Sequence, residues 1–267
     1  DFTVVLSAPG GGLTIAEEDG AVYAVDDEGN ATRIEPSRMT VAAEAVLPSA
    51  DAKVVPGGDH LYAVDAAAGV VHELDPQSMQ VTAGPVELAK PLGGAVVDDD
   101  GVLWLAEQGS GDVVALDGVE EVERTAVAEP GAQVVVSSID ERIVAVDTDT
   151  GSLTIVDGPG AGASYSIDVE SGADAVVPSV VDGTATLPIV DQNTTLVTVD
   201  VVSGASARIP LGDGGDLSEP VVGDDHVYLV DRSTGSLIIV DLSSGEVEVV
   251  SLLDEAGELG IVVRGDR

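Results

Sequence analysis

The chain has 267 residues, with 49 acidic against 10 basic side chains and a formal net charge of −39. That field repels phosphate backbones and anionic lipid surfaces, which excludes nucleic acid as a partner, and no apolar run is long enough to insert in a membrane. The absence of cysteine excludes disulfides, thiolate metal sites and a cysteine nucleophile, while 44% hydrophobic residues suffice to bury a core and exclude disorder.

Taken in chain order, the predicted elements repeat. FTVVLS (residues 2–7) reads as a fourth strand with no first three before it. The first full unit, about 12–47, runs GLTI, a turn at Asp19, AVYAVD ending at Asp26, ATRIE ending at Glu35, and MTVAAEAVL. The second, about 52–88, gives AKVV, a turn at Asp59, HLYAVD to Asp65, VVHELD to Asp75 and MQVTAGPVEL. The third, about 93–128, gives GGAVV, a turn at Asp100, VLWLAE to Glu107, DVVALD to Asp117 and VEEVERTAVA. That last stretch has an amphipathic helical pattern, but the repeat register assigns it to a fourth strand.

The fourth unit, about 132–169, gives QVVV, a turn at Asp140, RIVAVD to Asp147 and SLTIVD to Asp157. The fifth, about 174–211, gives AVVPSVV, a turn at Asp182, LPIVD to Asp191, TLVTVD to Asp200 and SARIPL. Pro188 lacks the N–H that a central strand donates, so a bulge or bend is expected there. The sixth, about 218–252, gives EPVV, a turn at Asp225, HVYLVD to Asp231, SLIIVD to Asp241 and EVEVVSL. GIVVRGDR, from Gly260, then repeats the first strand and turn once more.

The acid that ends each second strand recurs at steps of 39, 42, 40, 44 and 40 residues, from Asp26 to Asp231. Turns of the form D-x-x-x-G, as in Asp65 to Gly69, mark hairpins, because glycine supplies positive φ and aspartate accepts backbone N–H bonds. Four antiparallel strands per repeat of about 40 residues define the blade of a β-propeller. The fold expected is therefore all-β, a single propeller domain over 1–267 with six complete blades and a partial seventh formed by residues 1–7 and 259–267. Tyr23, Tyr62, Trp104 and Tyr228 each stand three residues before the landmark acid, where their rings are expected to fill the space between blades.

The phrase HVYLVDRSTGSLIIVDLSSGEVEVVSL resembles the repeat of YVTN-type and quinoprotein-like propellers of bacterial and archaeal surface proteins. The acidic, cysteine-free version is similar to the propeller region of large actinobacterial cell-surface proteins that carry Ig-like or fibronectin type III repeats. The resemblance implies an extracellular or cell-surface location and a structural or adhesive role, with protein partners or neighbouring domains of the same polypeptide. The tryptophan-docking signature of quinoprotein blades is missing, so it implies no quinone cofactor.

Most turn acids read as turn caps. As a metal site the best candidates are Asp98, Asp99 and Asp100 and the pair Asp147 and Asp149, and the ion such oxygens would take is Ca²⁺. His60 and His226 occupy equivalent turns in different blades and His72 lies on a third strand, so no His–Ser–Asp arrangement emerges and no catalytic residue or cofactor site is assigned. Arg264-Gly265-Asp266 spells an adhesion tripeptide, although the repeat already accounts for Asp266. The function expected is a non-enzymatic scaffold or adhesion module. The alternative is a secreted lactonase- or lyase-like enzyme, or a ligand-binding protein, that uses the central channel.

Overall fold

A computed structural model describes residues 12–18, 20–38, 40–170, 175–212, 215–223 and 225–253. Its elements are all strands, arranged in six sheets. The chain separates into two compact units, residues 1–131 and 132–267, with three sheets in each. FTVVLS, GIVVRGDR with its Arg-Gly-Asp tripeptide, and Asp19 lie outside the described residues, and with them the seventh blade.

In the first unit, sheet one is β1 (Leu13–Glu18), β2 (Ala21–Asp26), β3 (Asn30–Glu35) and β4 (Thr40–Val46). Sheet two is β5 (Lys53–Gly57), β6 (His60–Asp65), β7 (Val70–Leu74) and β8 (Val81–Glu87). Sheet three is β9 (Leu92–Val97), β10 (Leu103–Glu107), β11 (Asp112–Asp117) and β12 (Glu120–Ala126). Each is a sequential antiparallel meander. The stretch with helical periodicity, VEEVERTAVA, forms β12 as the register requires. Pairing with β11 overrides local propensity there.

Burial follows strand position. The second strands are almost wholly buried, and the fourth strands are mostly exposed. Adjacent sheets pack face to face through apolar side chains. Tyr23, Val25 and Leu47 meet Leu61, Leu74 and Met79 between sheets one and two. Tyr62, Val64 and Val71 meet Leu103, Leu105 and Leu116 between sheets two and three. At Gly57 a Cβ would lie 2.1 Å from Val97 Cγ1, so only glycine lets β5 approach the next sheet this closely.

In the second unit, sheet four is β13 (Val134–Ile139), β14 (Arg142–Asp147), β15 (Ser152–Asp157) and β16 (Ser164–Ser166). Sheet five is β17 (Ala175–Val176), β19 (Thr186–Asp191), β20 (Thr195–Asp200) and β21 (Ser206–Pro210). Sheet six is β22 (Val221–Gly223), β23 (His226–Asp231), β24 (Ser236–Asp241) and β25 (Val247–Ser251). Ile139, Leu153 and Ile155 pack against Leu187, Ile189 and Val199, and Val190 and Leu196 pack against Val227, Leu229 and Val240.

The first strand of sheet five departs from expectation. AVVPSVV breaks at Pro178. Its first part is β17, and its second, β18 (Val180–Val181), leaves the sheet and pairs in parallel with β13. This also corrects the reading of Pro188. The register of β19 on β20 is continuous, with Pro188 opposite Thr198 and no bulge. Ala185 accepts from Val201 on the β20 side, so alternation along the strand turns the Pro188 nitrogen to the other side. There β17 has already ended at Val176. The missing donor is accommodated by shortening the neighbour, not by bending the strand itself.

Candidate functional site

The acidic turns were the first candidates. At Asp65, the side chain accepts from the Ala68 N–H at 2.9 Å while its carbonyl accepts from Gly69. Asp75, Asp200 and Asp241 each accept backbone and hydroxyl bonds from the following turn, such as Ser243 N at 2.8 Å on Asp241 Oδ1. These bonds favour the charged form. The Ser78 hydroxyl holds Asp75 below the ordinary carboxylate range, the Ser203 N–H does so for Asp200, and the Ser243 hydroxyl drives Asp241 far below it. At Asp231 burial pushes upward, but the Ser233 and Thr234 bonds outweigh it.

The calcium candidates have the same geometry. Asp98 Oδ1 accepts from Asp100 N at 3.0 Å and Val102 N at 2.9 Å, and Oδ2 accepts from Trp104 Nε1 at 2.7 Å. The capping carboxylate of that turn is thus Asp98, where the repeat spacing had pointed to Asp100. Asp99 and Asp100 are exposed. Asp147 accepts from Asp149 N, Thr150 N and Thr150 Oγ1, and Asp149 Oδ2 accepts from Gln133 N. Among the described residues no three His, Asp or Glu side chains converge as a metal set.

Two landmark acids depart from the capping pattern. Glu107 and Asp191 are each 1% exposed. Glu107 binds Arg124 Nη1 and accepts from Ala89 N at 2.9 Å and Ser110 Oγ at 2.8 Å. Burial raises its proton affinity, but these bonds more than offset that and leave it below the ordinary range. Arg124, also bound to Asp112 and Glu121, is held firmly protonated by Glu121 and Glu107. Asp191 Oδ2 accepts from Arg208 Nη2 at 3.1 Å and Glu170 N at 3.1 Å, and Oδ1 is buried with no partner among the described residues. In both cases the arginine is 17 residues after the acid, on the fourth strand, and the N–H comes from the segment entering the blade. The sequence carries that signal, since only these two blades place arginine at this offset, but the period itself marks the acids and not their partners.

His60 bridges two sheets. Its Nδ1 lies 2.9 Å from Glu73 Oε1 on β7, its Nε2 lies 3.6 Å from Asp117 Oδ1 at the end of β11, and its ring stacks on Tyr62 at 5.8 Å. The Tyr62 hydroxyl donates to Gly101 O and accepts from Gly118 N, and burial pushes its pKa up to about 12. Both ring nitrogens of His60 thus face carboxylates, an arrangement suited to bridging charge between blades. His226 lies near Asp241 in sheet six, with Tyr228 only half-buried beside it. Tyr23, Tyr62 and Trp104 are buried as expected, and the Tyr23 hydroxyl donates across to Pro76 O of the next sheet.

The model of the PQQ_2 family, the outer membrane protein assembly factor BamB, matches residues 4–248. No curated protein matches the chain. Among solved structures, a streptogramin B lyase superposes with a TM-score of 0.69 at 14% identity, covering 96% of this chain and 87% of that one. An inactive virginiamycin B lyase from Staphylococcus aureus with quinupristin gives 0.73 at 12%, covering 96% and 89%. BamB from Moraxella catarrhalis gives 0.66 at 12%, covering 90% and 76%. At these identities the likeness shows the fold alone, a β-propeller.

Proposed function

We propose, for a chain that belongs to the family of the outer membrane protein assembly factor BamB, a non-enzymatic interaction module outside the cytoplasm that presents its blade edges to partner proteins or to neighbouring domains of its own polypeptide. The observation that carries this reading is the character of the fourth strands. Among the described residues β4, β8, β12 and β25 are each the last strand of a sheet, and they expose Val46 (74%), Val81 (49%), Val122 (55%) and Val249 (59%). Aliphatic side chains beside an open backbone edge suit pairing with an extended segment of another protein. The high negative charge favours partners with basic surfaces and gives their association a strong salt dependence. The same features suit an adhesive or scaffolding role as the propeller region of a larger surface protein.

The rival reading is a lyase- or lactonase-like enzyme, which the lyases sharing this fold bring forward. Its test is direct. The purified chain is incubated with quinupristin and its conversion to any product, isomers included, is followed by liquid chromatography with fragmentation mass spectrometry. The proposal expects no turnover above a heat-denatured control, and enzyme-dependent conversion would overturn it.

A further inference from the structure

Asparagine occurs twice in the chain, at Asn30 and Asn193, and both stand two residues before threonine, in Asn30-Ala31-Thr32 and Asn193-Thr194-Thr195. Both also have an acid two residues earlier, Glu28 and Asp191. Asn-x-Thr is the acceptor pattern for N-linked sugars on surface turns. Serine and threonine together make up only a minor share of the chain, so finding both asparagines in this pattern is a low-probability coincidence. Both lie at the hairpin joining the second and third strands of their blades, Asn30 as the first residue of β3 and Asn193 between β19 and β20.

The structure separates the two. The Asn30 carboxamide donates to Asp26 Oδ2 at 2.9 Å and Oδ1 at 3.2 Å, which fixes it within its own turn. Asn193 sits at the turn tip with φ 55°, next to Gln192 at φ 50°, and its carboxamide has no hydrogen-bond partner among the described residues. Asn193 is half-buried at this tip and Asn30 is exposed, so the free carboxamide and not exposure distinguishes Asn193; Thr195 follows as the first residue of β20, opposite Asp191 and Pro210. An amide with no bond of its own, at a turn tip and two residues before a threonine whose backbone is held in β20, has no hydrogen bond to break before it serves as an acceptor.

We infer that Asn193 is an N-glycosylation site, an inference that rests on the location outside the cytoplasm. The donor class is a lipid-pyrophosphate-linked oligosaccharide. Asn193 Nδ2 attacks C1 of its first sugar and loses one proton, the C1–O bond breaks, and the lipid pyrophosphate leaves with the electron pair, so that one N-glycosidic bond replaces one sugar–phosphate bond.

The test uses the protein isolated from its own host, digested at acidic residues and sequenced by electron-transfer mass spectrometry. The peptide carrying Asn193 should bear a sugar mass in most molecules, and Asn30 a lower occupancy. Thr195→Ala should abolish the mass at Asn193, and Thr195→Ser should retain it, which separates loss of the acceptor pattern from loss of fold. An unmodified Asn193 in protein recovered from the envelope or medium would overturn the inference, as would modification that survives Thr195→Ala. Recovery of the wild-type chain only from the cytoplasm would instead overturn the location on which the inference rests.

Discussion

Removing Arg124 should expose how the third blade is held. Arg124 neutralises Glu107, which is 1% exposed, and also reaches Asp112 and Glu121. Breaking a buried ion pair by deleting one partner costs about 3–5 kcal/mol, because the remaining charge stays buried without its counterion. Glu107 keeps the Ala89 N–H and the Ser110 hydroxyl, and the guanidinium is itself partly exposed, so the lower end, about 3 kcal/mol, is expected for Arg124→Ala. For a chain of this size that corresponds to a melting-point fall of roughly 6–12 °C. The assay is thermal and urea unfolding, with Arg38→Ala, an exposed arginine of equal charge, as the control expected to change stability by less than about 0.5 kcal/mol. Adding Glu107→Gln to Arg124→Ala should restore part of the loss. The penalty should also shrink as pH falls towards 4. In the wild type Glu107 lies below its unfolded value, so its contribution is present above that value and is lost as pH falls through the folded one. In Arg124→Ala burial acts with less opposition and protonation relieves it. Equal midpoints for wild type and Arg124→Ala, or a penalty untouched by Glu107→Gln, would show that the Glu107–Arg124 pair does not hold the third blade.

Tyr62→Ala should cost about 3–5 kcal/mol as a buried aromatic truncation. Tyr62→Phe, which leaves Gly101 O and Gly118 N unpaired, should cost about 2. Unfolding midpoints within error of wild type would show that this ring does not lock sheets two and three. The depressed carboxylates Asp26, Asp75, Asp200 and Asp241 stabilise the fold above their unfolded values near 4 and lose that contribution as pH falls through their folded values. Acid titration by circular dichroism should therefore show stability falling below about pH 4, and a flat profile from pH 6 to 2 would contradict this. Melting temperature should rise with NaCl through screening of like charges. A specific calcium site would show as a larger rise in CaCl₂ at matched ionic strength, and equal rises would leave screening as the whole effect.

The blade pattern was legible because each second strand ends on an acid, and most of these acids cap the turn that follows. Asp65, Asp147 and Asp231 cap hairpins closed by Gly69, Gly151 and Gly235, so the period of about 40 residues is written in the turns themselves. Lateral choices were not legible. That Pro178 sends β18 across to β13, or that β17 stops early beside Pro188, depends on which backbone edge is free in the neighbouring sheet, and periodicity does not encode this. The pairing of Glu107 with Arg124 and of Asp191 with Arg208 was recoverable from the shared offset, but only by reading charges across strands and not along them. The bridging of His60 between Glu73 and Asp117 joins two repeats, so the pattern of a single repeat does not contain it.

The interaction role is tested most directly by placing a photo-reactive side chain at Val46, Val122 and Val249, one at a time, in the chain carried by its own host. A discrete, reproducible cross-linked adduct with a protein partner is expected from at least one of these outer-strand positions, weakened by raised salt. No adduct from any of the three would contradict it.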